Sequence, residues 1–419
     1  MQAAPGQRAA FDEPASYWHA TAGAGVPAGE LPGSADVAVI GGGLLGACAT
    51  YWLARAGVRV AQVEQARIAY GATGRNGGFM GTGTAEGYLG TGARHGREAA
   101  RALMALTLDS LALLREVLAE EGIDCDYREC GRVSLALSEE ECAAQARTVA
   151  ALRADGFTGA THLDRAGVQE LIATPLAPEI AGGTHSTDGG LLHSARFVQG
   201  IAAAAQRRGA RLAHAQVQRL IPDGAGVRVE TTAGALRAGA AIVAVNAWTD
   251  ALMPALRGVI VPVRGQVLAY APLPTIFPLG VGAAVTPTGE YWQQTPDGSI
   301  VLGGCRADAP NFDIGVREGM PTPDVQARLE QVLPRLFPQL EGLRVARRWA
   351  GLMAFTADYL PVTDRAPDLP GVWVTGGFCG HGMPFGMRLG QLLAEAAATG
   401  AAPAELASLR LDRPTLAGR

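Results

Sequence analysis

Apolar residues follow two rhythms along this chain, and each change of rhythm marks a change of architecture. A short apolar run at 37–40 leads through glycines into a helix over 44–56 that Gly57 stops, and a second strand follows at 58–63. That is a β-α-β opening. Leu103, Leu106, Leu111, Leu114, Val117 and Leu118 stand at helical spacing and predict a helix over 97–121. Further helices are predicted over 139–155 and 197–208, then strand-like pieces at 211–220, 227–231 and 241–245. Between 259 and 304 short β runs punctuated by Pro and Gly take over (263–270, 291–295, 299–302), with Pro296-Asp297-Gly298 as a hairpin turn. The tail brings a strand at 372–375, a glycine-rich loop over 376–382 and a helix over 386–399.

Glycine before a helix thus recurs at both ends, with β-rich sequence between. The expectation is an α/β protein. A Rossmann-like cofactor domain is assembled from the discontinuous segments 34–95, 185–258 and 345–419. An α+β substrate domain with a mainly antiparallel sheet is drawn from 96–184 and 259–344, and residues 1–33 form a lead-in that packs locally through Tyr17 and Trp18.

Composition narrows the chemistry. The chain has 419 residues, 48% of them hydrophobic, with a mean hydropathy of +0.13, which supports two buried cores. Its net charge of −4 comes with no run of like charges, so nothing recruits nucleic acid or an anionic membrane. Lysine is absent and all 35 basic residues are arginine. Schiff-base catalysis, a phosphate-loop lysine and a lysine general base are therefore excluded, although a genome-wide Arg and Ala bias is the plainer origin of the pattern. Six scattered cysteines without a CxxC pair, and no secretory leader, predict reduced thiols in a cytoplasmic protein and no metal site. The uncharged stretch 37–54 is about as long as a membrane span, but its glycine triplet and the strand after it argue against an integral segment.

Gly41, Gly43 and Gly46 satisfy Gly-x-Gly-x-x-Gly between a predicted strand and a predicted helix, where glycine permits the tight turn and close approach of a pyrophosphate. Leu44 and Leu45 then begin a helix whose N-terminus faces the phosphates. Glu64, about 20 residues on, stands where an acidic side chain takes ribose hydroxyls, with Gln65 beside it. By itself this fingerprint says adenine dinucleotide, FAD or NAD. The loop Gly71-Ala-Thr-Gly-Arg-Asn-Gly-Gly78 has the glycine content of backbone pressed against a flat cofactor.

Together with Gly377-Phe-Cys-Gly-His-Gly382, these elements resemble the D-amino-acid oxidase superfamily, which includes glycine oxidase, sarcosine oxidase and gamma-glutamylputrescine oxidoreductase. The loop 71–78 and the Tyr-Trp lead-in most resemble the last branch. Asp188 to Phe197, Pro262-Val-Arg-Gly-Gln266, Trp349-Ala-Gly-Leu352 and Asp358-Tyr-Leu-Pro361 extend the resemblance over nearly the whole chain. It implies non-covalent FAD. Arg75, Asn76 and Gly77 would border the flavin ring, Val217 would supply backbone contacts near the adenine, and Thr73, Gly74, Gly78, Asn246 and Trp248 would also contact the cofactor. Gly377, Gly380, His381, Gly382 and Met383 would close around the pyrimidine end. It also implies oxidation of a C–N bond in an amine, N-substituted amine or amino acid, with hydride passing to flavin N5 and the imine hydrolysing in water. Oxygen or another acceptor would then take the electrons.

Three departures bear on the substrate. Amino-acid-oxidising relatives place an arginine just after Trp-Ala-Gly-Leu to grip a carboxylate; here that residue is Met353, leaving Arg75, Arg264, Arg306 or Arg348 as substitutes. Pro384 stands where sarcosine-oxidase-like relatives have a carboxylate-reading lysine, and no lysine exists to assist oxygen. Gly351 stands roughly where some relatives bond the flavin through cysteine. These gaps favour an amine or N-substituted amine, with any carboxylate distant, over a small free amino acid. His381, Tyr291 and Arg75 are the candidate catalytic residues, although His381 also reads as hydrogen-bonded packing and Tyr291 and Trp292 as strand core. His193 reads as a helix-start cap or packing residue, and Cys379 lacks a neighbouring base. Competing readings are a D-amino-acid or glycine-type oxidase or dehydrogenase, an NAD(P)-dependent dehydrogenase, and a non-catalytic flavin-binding module.

Overall fold

A computed structural model describes residues 14–417. Residues 1–13 of the expected lead-in and 418–419 of the expected cofactor domain lie outside the described residues. The chain runs α1 (Tyr17–Thr21), β1 (Ser34–Ile40), α2 (Leu44–Arg55), β2 (Val60–Glu64), β3 (Phe79–Met80), α3 (Gly87–His95), α4 (Arg97–Glu121), β4 (Arg132–Ala136), α5 (Glu139–Ala154), β5 (Ala160–Asp164), α6 (Arg165–Leu171), β6 (Gly182–Ser186) and β7 (Gly190–Leu191). It continues with α7 (Ser194–Arg207), β8 (Arg211–His214), β9 (Val217–Asp223), β10 (Gly226–Thr231), β11 (Gly234–Val243), α8 (Thr249–Leu252) and β12 (Val261–Tyr270). Then come β13 (Gly280–Ala283), β14 (Glu290–Gln294), β15 (Ile300–Gly304), α9 (Pro323–Leu336), β16 (Val345–Phe355), β17 (Val362–Arg365), β18 (Val372–Gly376) and α10 (Gly386–Thr399).

The first sheet has the order β17-β18-β11-β1-β2-β8. Its centre is parallel, β1 lying between β2 and β11, while β9 and β10 extend β11 as an antiparallel arm. Val37, Ala38, Val39 and Ile40 are all buried, because helices or loops cover both faces. That is why β1 reads as a continuous apolar run and not as an alternation. On one face α2, α7 and α10 share a core, and α10 comes close because Gly390 has no side chain: a Cβ there would lie 2.5 Å from that of Cys48.

The second sheet has the order β16-β12-β15-β14-β13-β4-β6-β5 and is antiparallel except for the β13–β4 pair. One face is a core in which Trp292, Phe277 and Phe337 pack edge to face with centroids 5.2 to 5.9 Å apart, and α9 lies over it through Val325, Leu329, Val332 and Leu336. The opposite face, one residue out of phase on every strand, looks toward the first sheet.

Four features differ from the sequence expectations. Residues 211–220 are two strands, β8 pairing with β2 and β9 with β10, and the chain changes direction at Ala215 and Gln216. Helix α7 begins at Ser194 because His193 caps it: Nδ1 accepts the Arg196 N–H at 3.2 Å. β16, expected in the cofactor domain, pairs along its length with β12 of the second sheet. α4, expected in the substrate domain, buries Leu103, Leu111, Leu114 and Val117 in the core shared by α2 and α10, and Ser110 Oγ accepts the Met387 N–H. Among the described residues no helix is long and apolar enough to cross a membrane.

Candidate active site

The fingerprint turn is built as its spacing requires. Gly41 has φ 109°, and a Cβ there would lie 2.6 Å from the Ala244 carbonyl oxygen. A Cβ at Gly46 would collide with the Gly41 carbonyl, so the third glycine lets α2 sit against the turn. Gly43, by contrast, meets no atom closer than Thr73 Oγ1 at 3.4 Å and leaves that side open to a phosphate. The Glu64 carboxylate ends β2 and accepts the N–H of Gly42 at 2.6 Å and of Ala66 at 2.8 Å. Burial pushes its pKa above the usual carboxylate range, against those bonds.

From this turn one cavity of about 800 Å³ runs past Gln65, Val217, Asn246 and Trp248, along Arg75, Asn76 and Gly77, to Gly351, Met353 and the loop from Gly380 to Met383. Its size lies in the upper part of the range for small-molecule sites. The loop beside it is held from behind. Trp18 Nε1 donates to Asn76 O at 2.6 Å, Trp349 Nε1 to Arg75 O at 2.9 Å and Gln293 Nε2 to Gly77 O at 2.5 Å. The glycine turn, the Glu64 carboxylate at the end of β2 and the braced loop wall lie in one cavity, so the residues present fit FAD.

Beyond the flat wall the second sheet closes the cavity with its glycine-rich face. Tyr291 on β14 has Gly282 opposite on one side and Gly303 on the other. Its ring lies over Gly77, where a Cβ would stand 2.5 Å from Cε2, and meets Phe79 edge on at 5.9 Å. Burial pushes the phenol up to about 12, so it keeps its proton at neutral pH. His381 is lowered to about 4, first by burial and then by the charge of Arg132, so its imidazole is neutral near pH 7. Arg132 enters the same chamber from β4, with Nη1 3.8 Å from where a Gly81 Cβ would be.

Gly41, Gly43, Leu44, Leu45, Glu64, Gln65, Thr73, Arg75, Asn76, Gly77, Val217, Asn246, Trp248, Tyr291, Gly380, His381, Gly382 and Met383 all line the cavity. Gly46, Gly74, Gly78 and Gly377 stand behind its wall, packed against Gly41, Ala69, Leu192 and Thr356 respectively. Arg75, a catalytic candidate, lines the cavity with its guanidinium engaged by the protein. It is 4% exposed, and its guanidinium donates to the carbonyls of Tyr70, Pro14 and Ala350 while lying 5.0 Å from the Tyr70 ring. It positions the loop.

The other arginines considered as anchors are also engaged: Arg264 holds Asp313 through two bonds of 2.8 Å, Arg306 donates to Phe312 O, and Arg348 reaches Glu330 and Gln326. Cys379 is buried with its pKa raised to about 11, and is no nucleophile at neutral pH. Trp292 belongs to the core. Sequence reasoning missed Arg132 and Ser134. Their signal is the alternation of β4, in which Val133 and Leu135 face the core and Arg132 and Ser134 the cavity.

Comparison with known proteins agrees with this geometry. The chain is 28% identical over 377 residues to a probable oxidoreductase, OrdL, of Rhizobium meliloti (strain 1021), covering 88% of this chain and 84% of that one. It is 28% identical over 400 residues to gamma-glutamylputrescine oxidoreductase of Escherichia coli (strain K12), covering 91% and 88%. The fold matches the crystal structure of glycine oxidase from Geobacillus kaustophilus with a TM-score of 0.78 and 24% identity, over 91% of this chain and 99% of that one. Residues 36–396 match the DAO family, described as FAD dependent oxidoreductase, and the chain belongs to that family.

Proposed function

We propose that this enzyme oxidises the C–N bond of an amine, N-substituted amine or amino acid, giving an imine that hydrolyses. The observation that carries the reading is the continuity of the cavity: the dinucleotide turn, the braced flat wall and a chamber walled by Tyr291, His381, Phe79 and Met353 are one space. Bound FAD supplies a two-electron hydride acceptor. The chain's own residues exclude water, position the donor and set its charge. His381, with a pKa of about 4, is too weak a base to deprotonate a substrate ammonium at neutral pH. As a neutral acceptor it adds no positive charge beside a carbon that becomes cationic as hydride leaves. Tyr291 donates a hydrogen bond and fixes orientation.

Related proteins carry names that fit: gamma-glutamylputrescine oxidoreductase of Escherichia coli and glycine oxidase of Geobacillus kaustophilus name an amine and an amino acid. The six cysteines, all unpaired, fit a reducing cytoplasm. The test is anaerobic. Purified yellow protein is mixed with amines, N-methyl amino acids and D-amino acids, and bleaching of the flavin absorbance by at least one donor is expected. Flavin that none of them reduces would favour the non-catalytic reading, and colourless protein that FAD cannot reconstitute would sink both.

A further inference from the structure

Among the described residues Arg132 is a cavity-lining cation with no counterion. No hydrogen-bond or ion-pair partner meets its guanidinium among the described residues, and desolvation alone acts on its pKa, lowering it. An arginine remains charged in such a place. Keeping a partly desolvated charge without an anion costs free energy that a ligand of opposite sign would offset. Arg75, Arg264, Arg306 and Arg348, by contrast, are engaged by protein groups. At the β16 end of the chamber the cation is Arg75, held by backbone carbonyls including that of Ala350, and Met353 packs there over Gly265, where a Cβ would lie 2.9 Å from its methyl carbon.

We propose that Arg132 grips an anionic group of the substrate, a carboxylate or an oxyanion of like geometry. The donor is then an acidic amine, read from β4 and not from β16. In the sheet these strands are five spacings apart, roughly 24 Å along the surface at about 4.8 Å each. Ser134, the next residue of β4 on the cavity face, supplies a further donor beside the same anion, whereas the Tyr291 hydroxyl leans over Gly303 of β15, away from β4. The planar guanidinium suits a bidentate grip. This assignment rests on the amine-oxidation reading for the identity of the donor, but not for the presence of the anion site.

The test uses the FAD-loaded enzyme and matched probes: N-methylglycine, N-methyl-β-alanine and 4-(methylamino)butyrate, each beside its carboxamide. Anaerobic flavin reduction gives a half-saturating concentration and a limiting rate. Perturbation of the flavin spectrum by the non-oxidisable acids propionate and glutarate gives binding alone. At least one acid is expected to saturate well below its amide. Arg132→Met is expected to raise the half-saturating concentration of acids roughly 30-fold or more, to leave amides unaffected and to change the limiting rate little. Arg132→Lys recovers part of the loss and serves alone if the methionine variant retains no flavin.

Acids and amides that behave alike in the parent enzyme, or acid binding that neither variant alters, overturn the assignment while leaving amine oxidation standing. Spectral perturbation by propionate or glutarate that depends on Arg132, in a protein that no amine bleaches, supports the anion site and removes the amine reading. Failure of every acid both to perturb and to reduce the flavin overturns the assignment.

Discussion

The indole N–H of Trp349 donates to the carbonyl of Arg75 at 2.9 Å, and the Arg75 guanidinium returns the contact one residue along β16, to the Ala350 carbonyl at 3.0 Å. This reciprocal pair ties the loop beside the cofactor to the edge strand of the second sheet. A Cβ at Gly351 would stand 2.8 Å from that of Arg75, so the two backbones meet with no room for a side chain. Gly351→Ala is expected to destabilise the enzyme by about 1–3 kcal/mol through overpacking, and to release FAD more readily. Thermal unfolding and ultrafiltration of the flavin check both, and unchanged Tm with full flavin retention would contradict the prediction. The same contact explains why a cysteine at this position could not reach a flavin without moving Arg75.

Glu64 links the second strand to the phosphate-binding turn by accepting the Gly42 N–H at 2.6 Å. Glu64→Ala removes this acceptor from the turn, for a loss of about 1–3 kcal/mol. Reconstitution of apoprotein should therefore show FAD bound roughly tenfold to a hundredfold more weakly. Glu64→Gln, which keeps an acceptor oxygen, should lose less.

Tyr291→Phe keeps the ring against Gly77 and Phe79 and removes only the donor. Flavin content and Tm should stay as they are, while kcat/KM for the best substrate falls roughly tenfold to a hundredfold, as for a lost hydrogen bond of about 1–3 kcal/mol. A normal kcat/KM would return Tyr291 to the role of a packing residue.

His193 is 2% exposed, caps α7 through Nδ1, and meets the Thr21 hydroxyl through Nε2 at 2.9 Å. Burial, with Arg196 adding to it, lowers its pKa to about 4. Its pKa in the unfolded chain is about 6.5, so between these values the unfolded state binds the extra proton. Stability is then fully present above about pH 6.5 and falls as the pH drops toward 4, at up to roughly 1.4 kcal/mol per pH unit for one proton. His193→Asn retains a capping oxygen and is expected to flatten the dependence of Tm on pH over that window. An identical profile would show that other groups govern acid unfolding.

What the sequence determined lay in local chemistry. Strand, glycine turn, helix and acidic strand end from Ala35 to Glu64 are consecutive, so spacing alone specified the dinucleotide turn. The helices α4 and α10 were legible to the residue because caps and apolar period agree along one segment. α9 was not read from the sequence, although Val325, Leu329, Val332 and Leu336 carry a helical period, because Pro323 and Pro334 mark it as broken.

Pairing and facing were decided only in three dimensions. β16 joins the second sheet because its hydrogen-bonding partner is β12, some 80 residues away in sequence, and the break between β8 and β9 depends on which neighbours accept each strand. Arg75 and Arg132 make the point most sharply. In sequence Arg75 has the better motif, yet the fold surrounds it with backbone carbonyls and turns it into a brace. Arg132 has no motif at all, and stands in the chamber because β4 alternates; among the described residues no carboxylate pairs with it. A side chain's type is written in the chain; whether its charge meets a partner or waits for one depends on what the fold packs around it.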